Sequence, residues 1–365
     1  MTDPAPQVVL CVNGGSSTMK CAVYRVGDAE ERLGASSVDG SGVAALGAAL
    51  DALGPAQRDV TAIGYRVVHG GPHRDQPARV DDRLLSDLRA AVPFAPLHLP
   101  ATLDVMEALI RRHPGLPQVA CFDTAFHRTM PESAWRLPVP SALVDAGVRR
   151  YGFHGLSYEY VVGAVGADTL GRAVLAHLGS GASLAAVRDG RSVHTTMGFT
   201  PTGGVVMSSR SGDLDPGVLV YLARELGYDA DRLERLVDQE AGLLALSGTS
   251  GDMRTLLDRR GAGDDRAALA VEVFTTRVRM QIGAYAALLD GLDAVVFTGG
   301  IGAHAASVRA EACAGLEPLG VGVDAGRNAA HAPIVSPPGA PVTVRVVETD
   351  EDLVIARHTR AVLAA

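Results

Sequence analysis

The chain has 365 residues, of which 47% are hydrophobic and 20% charged, with a formal net charge of −8 and an isoelectric point near 5.8. At roughly 150 residues per domain, this length predicts a soluble globular protein of about two domains with room for a large core. The acidic balance, with no basic cluster beyond pairs such as Arg149-Arg150, argues against nucleic acid or an anionic membrane as the main partner.

Residues 1–7 are acidic and contain proline but no basic leader region. No uninterrupted apolar run approaches the ~18 residues of a membrane helix, so a cytoplasmic protein is expected. Residues 8–12 and 19–26 are short apolar runs, and Asn13-Gly14-Gly15-Ser16-Ser17-Thr18 between them predicts a strand-turn-strand hairpin. Such a turn can hold an anion through freed backbone N–H groups, with the hydroxyls of Ser16, Ser17 and Thr18 as further donors. Lys20, the sole lysine among 33 Lys+Arg positions, puts a movable point charge at its end. An ordinary polar hairpin with a surface lysine is the alternative. No Walker motif occurs, which disfavours a P-loop NTPase.

Residues 40–54, rich in alanine and glycine, read as a surface connection. Gly64-Tyr65-Arg66-Val67-Val68-His69-Gly70-Gly71 places an arginine and a histidine at the end of a predicted strand, at a ligand edge. A helix is predicted over 100–112. The apolar strand at 119–122 ends in Asp123, and Tyr151-Gly152-Phe153-His154-Gly155 sets an imidazole among glycines. A second hairpin over 173–187 turns at His177-Leu178-Gly179-Ser180-Gly181 and echoes the first, which predicts two related α/β halves facing a common cleft. Met197-Gly198-Phe199-Thr200-Pro201 follows, then Ser209-Arg210-Ser211-Gly212-Asp213. Asp215-Pro216 caps a helix over 217–226. In the longest predicted helix, 265–289, an apolar stripe at Val271, Phe274, Val278, Ile282, Tyr285 and Leu289 reads as core. A strand at 293–297 then runs into Thr298-Gly299-Gly300-Ile301-Gly302, with helix from 303 to 314, a geometry suited to nucleotide contact or to close strand-helix packing. Residues 333–341, rich in proline, read as a second surface connection. The four scattered cysteines, without C-x-x-C spacing, predict reduced thiols and no zinc site.

Each polar cluster alone could be structural. Together they form an inventory for phosphoryl transfer: two arginines and two histidines in glycine-rich settings, a carboxylate and three phosphate turns. The transferred group is negatively charged throughout, so positioned cations and Mg²⁺ carry most of the catalysis. A carboxylate and an amide oxygen suit Mg²⁺.

The chain resembles the acetate kinase family over almost its whole length. The segments NGGSSTMK, YRVVHGG, APLH, FDTAFH, RRYGFHG, MGFTP, RSGDLDPG, DMR, FTGGIG and EDLVIAR stand in the family's order. The resemblance implies a duplicated α/β fold of the actin, sugar kinase and heat-shock chaperone ATPase type. A first domain over 1–148, completed by 350–365, and a nucleotide-binding domain over 149–349 would hold ATP and Mg²⁺ or Mn²⁺ between them, in a homodimer. The implied reaction is reversible transfer of a phosphoryl group from ATP to acetate, giving acetyl phosphate and ADP.

By the same resemblance, Asn13 and Glu351 are Mg²⁺ ligands and Lys20 meets nucleotide phosphate. Arg66 and Arg210 clamp the carboxyl and phosphoryl groups, Asp123 matches the residue assigned as catalytic acid or base, and His154 and His177 stabilise the phosphoryl in flight. Acetate, with a pKa near ~4, needs no base to ionise it, so Asp123 is expected to orient Mg²⁺ or water. The nucleotide segments are His177, Leu178, Gly179, Ser180 and Gly181; Asp252, Met253 and Arg254; and Gly300, Ile301, Gly302, Ala303 and His304. The acyl pocket falls near Val68, Leu97 and Pro201. One methylene changes binding by only ~1–3 kcal/mol, so propionate could also be taken. The sequence departs from the family pattern at Leu99, Tyr158, Ser180, Ala303 and His304, mostly on the nucleotide side, which leaves pyrophosphate as an alternative donor. A catalytically inactive nucleotide-binding regulator is the reading from another class.

Overall fold

The computed structural model describes residues 6–15 and 18–365. Ser16 and Ser17, and with them the tip of the first predicted anion turn, lie outside the described residues, as do residues 1–5. The chain divides into two compact units, Met1–Arg128 with Asp350–Ala365, and Thr129–Thr349.

The first unit carries strands β1 (Gln7–Gly14), β2 (Thr18–Val26), β3 (Glu30–Asp39), β4 (Ala62–Val67), β5 (Ala78–Arg79) and β6 (Gln118–Phe122), in the order β3-β2-β1-β4-β6-β5. β1, β2 and β3 form an antiparallel meander in which Asn13 faces Lys20, while β1, β4 and β6 run parallel. The parallel strands are apolar because they are covered on both faces. The helices Gly42–Leu53, Asp82–Ala90 and Leu99–Arg112 send Leu46, Leu50, Leu84, Leu88 and Met106 into the same core. The stretch 40–54, expected as a surface connection, is thus mainly a core helix: its alanines and leucines at helical spacing outweigh its glycines. The C-terminal helix Glu351–Ala364 packs on β1, β4 and β6. A Cβ on Gly64 would lie 2.3 Å from Thr359 Oγ1 and 2.5 Å from Ile355 Cγ2, so only glycine lets that helix lie so close to β4. The Tyr24 hydroxyl donates to Asp350 Oδ2 at 2.5 Å, and Asp350 Oδ1 caps the Leu353 N–H. That pair fixes where the returning chain presents Glu351 and Asp352.

The second unit repeats the plan. Strands β7 (Arg172–Leu178), β8 (Ala182–Arg188), β9 (Arg191–Thr195), β10 (Ala294–Thr298) and β11 (Thr343–Val346) are ordered β11-β10-β7-β8-β9. Again three strands form an antiparallel meander and two more join in parallel. The helix Asp265–Leu288, capped by Asp264 on the Arg266 and Ala267 N–H groups, buries Val271, Phe274, Val278, Ile282 and Tyr285 as its stripe predicts. The helix expected over 303–314 is two, Gly299–His304 and Ala306–Cys313, so Gly300 and Gly302 sit inside a short helix rather than in a preceding turn. Residues 129–148, expected with the first domain, group with the second unit. Thr129 Oγ1 donates to Ser192 O, and the Arg150 backbone and side chain donate to Trp135 O and Ala134 O. All four cysteines are free and buried. No helix among the described residues is long and apolar enough to cross a membrane.

Candidate active site

In the first unit the polar residues gather where β1, β4 and β6 end, as expected for a parallel α/β sheet. Arg66, on β4, directs Nε and Nη2 to Asp123 Oδ2 at 2.9 and 2.5 Å, and Nη1 to Gly14 O at 3.3 Å and Asn13 Oδ1 at 3.5 Å. Asp123, just past β6, is fully buried, and its N–H donates to Val67 O. The Asn13 amide donates to Glu351 Oε2 at 3.0 Å and Asp352 Oδ1 at 3.2 Å. Burial works against the Arg66 charge, yet Asp123 and Glu351 outweigh it and hold the guanidinium above the ordinary arginine value. Burial, with Glu351 beside it, raises the Asp352 carboxyl to about 6 against the opposing effects of Asn13 and Lys20. Lys20 is exposed on β2. Four residues expected from sequence, Asn13, Arg66, Asp123 and Glu351, therefore form one connected group.

His69 is a correction. It is fully buried and its Nδ1 accepts the Gly71 N–H at 2.8 Å, so it stabilises a turn rather than a ligand edge. Val68 is buried, whereas Leu97 is 44% exposed and lines a cavity with Arg66, Val12, Met19, Tyr65 and Val105.

In the second unit the turn Gly179-Ser180-Gly181 is closed by Gly179 N–H donating to Gly181 O at 3.0 Å. His154 stands in the left-handed region (φ 59°) as N-cap of the helix Gly155–Val165, a costly conformation for a non-glycine residue. Its ring stacks on His177 with centroids 4.2 Å apart and planes 20° from parallel. A Cβ built on Gly181 would lie 3.3 Å from His154 Nε2 and 3.5 Å from Arg210 Nη1, so both side chains border the same space beside the turn. Arg210 Nη1 donates to Pro201 O at 3.3 Å. His154, His177, Arg210, Pro201 and the Gly179–Gly181 turn are thereby brought together.

The remaining nucleotide candidates divide. Asp252 caps the helix Met253–Gly261, its Oδ2 accepting from Thr255 N and Oγ1, and those hydrogen bonds hold its carboxyl below the usual value. Met253, Leu178 and Ala303 are buried side chains, while Arg254, Ser180, Gly300 and His304 are exposed. Gly299 (φ 75°) packs its backbone against Leu178, where a Cβ would lie 2.7 Å from the carbonyl oxygen. Sequence reasoning missed Asp352, Ser183 and Arg309. The acidic pair Glu351-Asp352 opening a helix was the available signal for the first, and the other two offered none.

A meander-plus-parallel sheet occurring twice, with polar residues at the strand ends of each copy, defines the class of duplicated actin-like ATPase folds. Comparison with known proteins narrows the class. The model of the Acetokinase family matches residues 27–357. An acetate kinase of Streptomyces avermitilis is 44% identical over 98% of this chain and 98% of its own. One of Rhodopseudomonas palustris is 49% identical over 82% of this chain and 76% of its own. The crystal structure of Porphyromonas gingivalis acetate kinase superimposes with a TM-score of 0.88 at 33% identity, covering 98% of this chain and 100% of that one. The chain belongs to the acetate kinase family.

Proposed function

We propose that this chain transfers the terminal phosphoryl group of ATP to the carboxylate of acetate, giving acetyl phosphate and ADP, and catalyses the reverse. What carries the reading is the connected Arg66–Asp123–Asn13–Glu351 group in a chain of this family. An acetate oxygen attacks the terminal phosphorus, the bond from phosphorus to the ADP oxygen breaks, and no proton has to move because the acid is already ionised. Arg66, held rigid by Asp123, orients the carboxylate. Arg210, His154 and His177 donate to the phosphoryl oxygens as charge spreads over them. Lys20 meets nucleotide phosphate, and the residues of Gly179–Gly181 and Gly300–His304 contact the nucleotide.

Among the described residues no group of three or more His, Cys, Asp or Glu stands together as a metal cage. Mg²⁺ requires none, since it keeps several waters and takes one or two carboxylates with substrate phosphate. The Asn13 amide oxygen and the Glu351 carboxylate fit that need, with Mn²⁺ able to substitute. When bound, the ion neutralises charge on the phosphates. Asp123 would orient the ion or a water rather than act as a base.

The test is trapping of acyl phosphate with hydroxylamine across acetate, propionate and butyrate, with ATP or pyrophosphate as donor. Acetyl hydroxamate formed with ATP is expected. Nucleotide binding by calorimetry with no hydroxamate from any pair would favour the inactive regulator instead.

A cytoplasmic homodimer completes the reading. The helix Pro216–Glu225 buries none of its residues although Val218, Val220 and Tyr221 are 42%, 48% and 57% exposed, with Leu214 and Leu226 exposed beside it. Arg224, Arg232 and Arg235 alternate here with Glu225, Asp229, Asp231 and Glu234. That mixture is self-complementary, so a second copy about a two-fold axis is the occupant it fits. Tyr221→Glu with Val218→Asp is expected to shift the particle mass from dimer to monomer in sedimentation. A dimer that survives both changes would place the interface elsewhere.

A further inference from the structure

We propose that Tyr158 is a positioning residue that acts through Ser183 to hold His154 as the Nε2–H tautomer, aimed at the Gly179–Gly181 turn. The inference rests on the reading of His154 as a phosphoryl-facing group. Tyr158 lies four residues after His154 on the same helix, its N–H donating to His154 O at 3.0 Å, so both side chains project from one face. Both reach Ser183 on β8. The Tyr158 hydroxyl is 2.6 Å and His154 Nδ1 is 2.8 Å from Ser183 Oγ, with Tyr158 and Ser183 fully buried.

One order of donors along this chain suits a ring that faces phosphoryl oxygens. In it the Tyr158 hydroxyl donates to Ser183 Oγ, whose single proton goes on to His154 Nδ1. With Nδ1 accepting, the imidazole proton sits on Nε2, the atom facing Gly181 and Arg210 Nη1. The reverse order would turn a lone pair toward the place where phosphoryl oxygens carry charge, and the two would repel. Burial pushes the phenol well above its ordinary pKa, so it retains its proton throughout the neutral range. Ser157 makes the parallel contact to His177, Oγ to Nδ1 at 2.8 Å, so each ring of the stack has its inner nitrogen held by a serine. Only His154 has a buried phenol behind that serine.

Tyr158→Phe removes one oxygen and leaves the ring in its slot. Long-range ¹H–¹⁵N spectra of the histidine rings, with His154 assigned by its loss in His154→Asn, report the tautomer directly. The wild type is expected to show Nε2–H, and Tyr158→Phe a mixture with Nδ1–H. The same variant should lose about tenfold in kcat with KM for acetate and ATP within about twofold, the scale of one hydrogen bond. Wild-type His154 carrying its proton on Nδ1, or a tautomer unmoved in Tyr158→Phe, overturns the proposal. If Tyr158→Phe does not fold, Ser183→Ala cuts the same relay and is read the same way. His154→Asn turning over at the wild-type rate would instead refute the role of His154 and leave the tautomer result standing.

Discussion

Replacing Arg210 with alanine is expected to lower kcat by about 10²–10³-fold, equivalent to ~3–4 kcal/mol of barrier, with a smaller change in KM for ATP. The guanidinium shares its space with His154 across Gly181, and the loop that carries it is rigidly seated. Met207 N–H donates to Arg210 O, and a Cβ on Gly242 (φ 65°) would lie 2.7 Å from that same oxygen. Truncation therefore removes a preorganised donor without an obvious route for another to replace it. An interaction that strengthens as charge spreads over the phosphoryl oxygens acts on kcat more than on ground-state binding. Arg210→Lys keeps the charge and loses the planar fork, so it should recover only part of the rate. The contrast is Arg66→Ala, where loss of the carboxylate clamp should also raise KM for acetate. Hydroxamate formation against each substrate separates the two patterns, and a wild-type kcat in Arg210→Ala would remove it from the mechanism.

The elements legible in the sequence were those whose pattern is local. β4 carries Arg66 one residue before its end and β6 is followed at once by Asp123, so both are legible in the sequence as strand-end groups. The stripe of the helix Asp265–Leu288 was equally direct. What could not be read depends on partners far along the chain. β3, with Glu30, Glu31 and Arg32, is a strand because β2 supplies its ladder, and its charges suit an exposed edge. His69 looked like a ligand because histidine beside glycine is ambiguous until Gly71 N–H is seen to occupy its nitrogen. Residues 129–148 contain few apolar runs and take their place from carbonyls that receive the Arg150 side chain. Ser183 gave no signal at all, since its importance lies in joining Tyr158 to His154.

Arg309 is the strongest instance of such a long-range partner, and its removal should affect stability and nucleotide binding together. The side chain is fully buried. Nε donates to Asn328 Oδ1 at 2.8 Å, Nη1 to Gly302 O and Ala303 O at 2.9 and 2.8 Å, and Nη2 to Asn328 O at 2.9 Å. Burial lowers its pKa from the ordinary arginine value. The group nonetheless stays charged, because an arginine is not deprotonated in a protein. A guanidinium satisfied by neutral carbonyls acts here as a cap: Gly302 and Ala303 lie in the last turn of the helix Gly299–His304, where intrahelical donors run out. Arg309→Ala would leave at least three carbonyls without that donor and a void the size of the side chain, which together cost about 3–5 kcal/mol. Arg309→Met fills the void and leaves the carbonyls unsatisfied, so it should recover only the packing part. Because the same turn carries the proposed nucleotide residues Gly300 to His304, both variants should raise KM for ATP while leaving KM for acetate near the wild-type value, since the acetate clamp is built on Arg66 and Asp123. Urea midpoints and the two KM values measured on the same preparations decide it. A variant that loses stability with KM for ATP unchanged would make Arg309 a core residue only, and would remove the residues from Gly300 to His304 from the nucleotide site.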